Sequence, residues 1–323
     1  MRNILGQSFC RIVAFSLAVF FAVPAGAEDF PSRDITLIVP WAAGGGSDAV
    51  ARALQPGLEK ALGKKVIILN VPGAGGVIGW RKLAQSPADG HTISIVTSSI
   101  LVTKYLNPAQ GVDFRDFELV THVADSPLVM LTSPDGNFKT VLDIVKAAKD
   151  KPARINLATA GVGTMWHIGG LGFSIASGSK YTFVPFKGGN EAMPAIMGGH
   201  VEAGAGTLAE SASFITTGKL KALAVFADKR NPIIPDVPTL KELGVDYVFN
   251  AWWGIMAPKG TPPAIVAKLN AAIQSAMATE GFRKYAEQNA LTIVSEDGAQ
   301  LAAIAAKEDA EVKNLLDLAA AKN

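Results

Sequence analysis

Ile35-Thr-Leu-Ile-Val39 runs into Pro40-Trp-Ala-Ala-Gly-Gly-Gly-Ser-Asp48, and beyond it Val50, Leu54, Leu58 and Leu62 recur four residues apart. A short aliphatic run closed by proline reads as a buried strand, and apolar residues at a spacing of four form one face of a helix. The glycines between them permit the tight connection. Strand, glycine loop and helix in that order open a βαβ unit, whose strands lie parallel under covering helices.

The pattern continues downstream. Residues 66–69 give a second strand, 72–79 a glycine-rich loop, 80–85 a short helix and 92–97 a third strand. A similar unit restarts at residues 155–159, with Ala160-Gly161-Val162-Gly163 as its loop and a helix opening at Thr164 that carries Ile168, Leu171 and Ile175 on one face. Strands near 182–185, 201–204 and 220–227 follow, with a helix near 191–197 among them. Residues 246–256 read as extended and aromatic, and the chain from Pro262 as mostly helical around a strand at 291–294. In the last helix Glu308, Asp309 and Glu311 beside Lys307 and Lys313 suggest a solvated face.

Arg2 and Arg11 flank the start of an apolar run over residues 12–23, and Ala25-Gly26-Ala27 follows as a small-residue site. This reads as a signal peptide over residues 1–27, cleaved after Ala27, which places the mature chain in the periplasm. Cleavage removes two of the 30 basic residues and no acidic one, leaving 28 against 28. A net charge of zero without a basic stripe excludes nucleic acid as a partner. The single cysteine, Cys10, lies within the signal, so no disulfide, thiolate metal site or cysteine nucleophile is expected in the mature protein. No metal or cofactor is expected. The remaining 296 of 323 residues exceed what one core usually holds, and two lobes are expected.

Eight stretches, in order, resemble the solute receptors of the tripartite tricarboxylate transporters, the Bug family. They are Pro40 to Asp48 as quoted above, Asn70-Val-Pro-Gly-Ala-Gly-Gly76, Pro87-Ala-Asp-Gly-His-Thr92, Val184-Pro-Phe-Lys-Gly-Gly189, Gly198-Gly-His-Val201, Gly218-Lys-Leu-Lys-Ala-Leu-Ala-Val225, Pro235-Asp-Val-Pro-Thr239 and Ala257-Pro-Lys-Gly-Thr-Pro-Pro263. The resemblance implies a two-lobed periplasmic-binding-protein fold of the Venus-flytrap kind, each lobe a mixed sheet flanked by helices. The first lobe would be discontinuous, residues 28–124 plus 249–323, and the second would be 125–248, with crossings near 124–127 and 246–251. It also implies a monomer that captures a small organic carboxylate between the lobes and passes it to membrane transporter subunits.

The loop before the first helix leaves backbone N–H groups bare at a helix N-terminus, where orphan donors and the macrodipole favour an anion. Trp41, Ala43, Gly44, Ser47 and Asp48 are the candidate ligand contacts there, with Asp48 equally readable as a dipole and capping residue. The second lobe offers the same device in Gly163, Thr164, Trp166 and His167, and Thr207 is the preferred donor at the end of a further strand. Its neighbour Glu210 reads as a solvated helix residue. His167, in the first turn of its helix, is expected to be neutral. Trp41, Trp166, Trp252 and Trp253 all fall on segments expected to line the cleft, and two of these indoles facing it would imply an aromatic or extended apolar body on the ligand.

Two enzyme readings compete. Gly44-Gly-Gly-Ser-Asp-Ala49 formally matches a dinucleotide fingerprint, but the following strand ends in Asn70 where a ribose would need an acid. An exported hydrolase would use Ser47 and His167. A ligand sensor docking on a membrane receptor needs the same cleft as a transport receptor.

Overall fold

The computed structural model describes residues 30–321. The signal-peptide expectation lies outside the described residues. The chain runs β1 (Ile35–Val39), α1 (Gly46–Leu62), β2 (Val66–Asn70), α2 (Val77–Ala84), β3 (Thr92–Thr97), α3 (Ile100–Leu106), β4 (Phe117–Thr132), α4 (Val141–Asp150), β5 (Asn156–Thr159) and α5 (Met165–Ser177). It continues β6 (Thr182–Pro185), α6 (Gly189–Met197), β7 (Ala203–Thr207), α7 (Leu208–Thr216), β8 (Lys221–Val225), β9 (Asn250–Pro258), α8 (Pro263–Met277), α9 (Glu280–Gln288), β10 (Thr292–Asp297) and α10 (Gly298–Ala321).

β1 is apolar and buried on both faces because it is a central strand, parallel to β2 and to β3. α1 covers it with Val50, Leu54 and Leu58, and ends at Gly63, whose left-handed backbone lets its N–H reach the Glu59 carbonyl at 2.9 Å. The sheet is not purely parallel as βαβ units alone would give. β9 runs antiparallel to both β3 and β4, and β10 antiparallel to β4, because the chain returns here from the other lobe.

β4 joins the two sheets. Its residues from Phe117 to Pro127 pair with β9, and Leu128 to Thr132 pair with β7 and β8 in the second sheet. The return strand runs beside it: Phe249 N–H reaches the Phe226 carbonyl at 2.9 Å on the second-sheet side, and Asn250 opposes Pro127 on the first. Two adjacent crossings therefore connect two mixed sheets, the two-lobed fold that the resemblance implied. α5 of the second lobe sends Ile168 into an apolar cluster of the first, with Val96, Ile100, Met256 and Leu301.

α10 starts against β4 with no room for a side chain. A Cβ on Gly298 would stand 1.8 Å from the Leu119 carbonyl oxygen, which is backbone and cannot swing aside. Gly298→Ala is expected to cost about 2 kcal/mol or more. Gly281, in α9, has open space around it, and Gly281→Ala is expected to be neutral or stabilising by up to about 0.5 kcal/mol. Urea unfolding of the two variants checks the pair; equal stabilities would remove the steric argument.

Candidate functional site

The first helix begins without a side-chain cap: Gly45 is its N-cap residue, and glycine has nothing to offer the free amides. One of them, Gly46 N–H, donates to Glu210 Oε1 at 2.9 Å, across the cleft from the second lobe. A Cβ at Gly46 would stand 2.5 Å from Glu210 Cγ, so the glycine makes that approach possible. The other Glu210 oxygen accepts from the Trp166 indole at 2.7 Å and from the Thr207 hydroxyl at 2.7 Å. Thr207 is also the N-cap of α7, accepting from Glu210 N–H. Glu210 is thus the carboxylate at the centre of the cleft and not the solvated residue its helix position suggested. The pattern Thr-x-x-Glu at a strand end was its one local signal; the indole and the opposing glycine reach it only through the fold.

A second bond ties the lobes. Met165 N–H, the first amide of α5, donates to Ser99 Oγ of the first lobe at 3.1 Å. Between these two bonds the cleft narrows to an inner cavity of ≈ 30 Å³, room for little more than water. Among the described residues, Glu210 is the sole charged side chain lining it. Trp41, Ala42 and Ala160 separate this cavity from an outer chamber of ≈ 460 Å³ bounded by residues 72–76, Gly161, Val162, Phe186, Lys187 and Glu191.

The remaining candidates fall into three groups. Trp41 and Trp166 line the inner cavity with Ser47, whose hydroxyl accepts from the Trp253 indole at 3.0 Å. Asp48 is turned away from the cleft and buried. Its Oδ2 accepts from Gly44 N–H at 2.9 Å and Arg52 Nε at 2.8 Å, and its Oδ1 from Asn70 Nδ2 at 3.0 Å. Burial alone would raise its pKa, but these donors hold it below the usual carboxylate value. Asn70 also donates to the Trp41 carbonyl at 3.0 Å, so Asp48 and Asn70 together fix the loop holding Ala43 and Gly44.

In the second lobe, Thr164 donates to the Gly161 carbonyl at 2.8 Å instead of capping α5, and Gly163 N–H donates to His167 Nδ1 at 3.3 Å. Burial lowers the His167 pKa. The shift favours the neutral ring, and its cause is desolvation. It packs edge-on against Phe183, with centroids 5.1 Å apart. Ser47 and His167 therefore each bond within their own lobe. Trp252 is 1% exposed, and its indole donates to Glu308 Oε2 at 2.7 Å. It belongs to the crossing region and lines neither chamber.

That region has a cavity of its own, ≈ 160 Å³, where α5 and α10 meet beside Phe249 and Asn250; Glu308 lines it. Burial pushes the Glu308 carboxyl up to about 7, with Asp125 and Glu311 adding to the effect. Its neighbour Asp309 is buried and bound to Lys104, Tyr105 and Arg115. The charged face of α10 is therefore partly internal, because the helix packs across α3 and α5. Among the described residues no cluster suited to a metal ion occurs, and no helix is long and apolar enough to cross a membrane.

Residues 50–319 match the family described as the tripartite tricarboxylate transporter family receptor. The chain is 33% identical to the protein BugT of Bordetella pertussis over 279 residues, covering 85% of this chain and 86% of that one. Its fold is similar to the periplasmic binding protein BugD, with a TM-score of 0.85, 30% identity, and coverage of 90% of this chain and 99% of the other. It is also similar to MatC of Rhodopseudomonas palustris, solved with bound malate, with a TM-score of 0.84, 28% identity, and coverage of 88% and 99%.

Proposed function

Because the chain belongs to the tripartite tricarboxylate transporter receptor family, we propose that it is a periplasmic receptor that captures a small organic carboxylate between its lobes and delivers it to a membrane transporter of that type. The observation that carries this reading is the uncapped start of α1, where Gly46 N–H already holds a carboxylate at 2.9 Å. Oriented backbone donors and the helix dipole make that place favourable for an anion without any basic side chain. Malate bound to MatC supports the same ligand class. The residues assigned to ligand contact are those lining the inner cavity, Trp41 and Ser47 from the first lobe and Trp166 from the second; Ala43, Gly44, Gly163, Thr164, His167 and Thr207 line neither chamber and shape the loops or, for Thr207, hold Glu210. Asp48 acts behind them by fixing the first loop.

The test is thermal unfolding of the mature protein against mono- and dicarboxylates, aromatic acids and amino acids, with the matching amides and esters as controls. A ligand at about 100 times its Kd stabilises by about 2.7 kcal/mol, a rise in Tm of about 4 °C for a chain of this size. That rise is expected for acids of one shape and absent for their amides. A shift produced by neutral solutes and by no acid would overturn the proposal.

A further inference from the structure

The cleft holds a carboxylate where a carboxylate ligand is expected, and this narrows what the ligand can be. Glu210 reaches from the first turn of α7 to Gly46, while the Thr207 hydroxyl and the fully buried Trp166 indole hold its other oxygen, both at 2.7 Å. Those last two donors belong to Glu210's own lobe, so they keep the carboxylate in place when the lobes part; the Gly46 bond alone is broken by opening. Among the described residues, no basic side chain lines the inner cavity to offset it. A ligand carboxylate that takes over Gly46 N–H comes to rest beside Glu210 Oε1, which has then lost a donor. Two like charges at that separation repel strongly in a cavity with little water. A group that brings its own positive N–H donor beside the carboxylate relieves both problems, because the ammonium replaces Gly46 as the partner of Oε1.

Resting on the reading of the cleft as a carboxylate site, we infer that Glu210 selects an α-amino acid: the ligand carboxylate takes the start of α1, its ammonium pairs with Glu210, and a dicarboxylate is rejected. The side chain has a separate place to go. The inner cavity is too small for it, but the outer chamber adjoins at Trp41 and is lined mainly by apolar residues, among them Pro72, Phe186 and Val162, the last 57% exposed, with Lys187 and Glu191 as its charged members. An apolar or aromatic side chain covers that surface, so the amino acid is an apolar one.

Isothermal titration with leucine and phenylalanine, the matching acids without the amino group, the matching amino amides, and malate tests this on the wild type and on Glu210→Gln. The wild type binds the amino acids on the order of 10- to 100-fold more tightly than the deamino acids, the value of a charged hydrogen bond in a desolvated site, and binds malate weakly. In Glu210→Gln that preference falls to a few-fold and malate affinity rises. Deamino acids or malate binding the wild type as tightly as the amino acids would overturn the inference and leave the carboxylate reading standing. Amino amides binding as tightly as the amino acids would do the reverse, keeping Glu210 as the ammonium partner and removing the carboxylate site. An equal gain for every acid in Glu210→Gln, with no amino preference in the wild type, would make Glu210 a plug and not a selector.

Discussion

Asp48→Ala lowers the unfolding free energy by about 2 kcal/mol at pH 7 and weakens ligand binding, although the side chain touches no ligand. Three donors converge on this carboxylate, and each loses its partner in a different environment. Arg52 is half exposed, with 53% of its side chain accessible, so water compensates it at little cost. Gly44 is exposed too, so water reaches its N–H, whereas the half-buried Asn70 amide finds no full substitute, at about 1–3 kcal/mol for a group left unpaired when buried. Asp48→Asn retains one accepting oxygen and is expected to lose about half as much. The depressed pKa gives the sign of the pH dependence: this contribution is present above the unfolded value of 3.8 and is lost as pH falls below it. Urea unfolding of wild type and both variants at pH 7 checks the ranking. Asp48→Ala within 0.5 kcal/mol of wild type, a difference of about experimental size, would mean that the loop is held by something else.

The contrast between Asp48 and Glu210 shows what the sequence could and could not disclose. β1, its glycine loop and α1 were legible because their signals are local: an aliphatic run, a turn, and an apolar face at a spacing of four. The second lobe repeated those signals at β5 and α5. β4 was read only at its crossing point, since its sixteen residues draw meaning from strands of two different sheets, all of them distant in the chain. Asp48 had two readings at its helix start, and the choice between them depended on Asn70, twenty-two residues on, coming beside it. Glu210 and Glu308 looked solvated because a charged helix residue usually is. Their partners, Gly46 and Trp252, are respectively 164 and 56 residues away, and no periodicity connects them. For His167 the helix end was visible in sequence, whereas the burial that lowers its pKa was not.

Stability is expected to fall as pH rises from about 5 to about 8, against the more common trend for a protein rich in paired carboxylates. The cause lies where the two crossings pass α10. Glu308 has a folded pKa of about 7 against a reference value of 4.5, so the folded chain binds its proton more tightly than the unfolded chain does. Its neutral form is fully favoured below pH 4.5, and stability is lost through the window up to about 7, by about 3 kcal/mol at most. His122 acts in the same direction. Burial disfavours its imidazolium, but Asp125 at 2.6 Å and Glu296 at 2.9 Å outweigh that and raise its pKa above 6.5, so its contribution is lost as pH rises further. The depressed carboxylates Asp48, Asp89, Asp113, Asp143 and Asp309 titrate below this window, whereas His167, whose pKa burial lowers, acts the other way below 6.5 and offsets part of the decline. Glu308→Gln keeps an acceptor for the Trp252 indole and removes the titration, so it is expected to flatten the decline between pH 5 and 7 while leaving the His122 limb above it. Urea unfolding at intervals of one pH unit separates the two limbs. A wild type whose stability rises from pH 5 to 7, or a Glu308→Gln variant with an unchanged slope, would show that Glu308 is hydrated and ionised in the folded chain. With the decline present, a site 2.7 Å from an indole couples protonation to the return crossing between the two sheets.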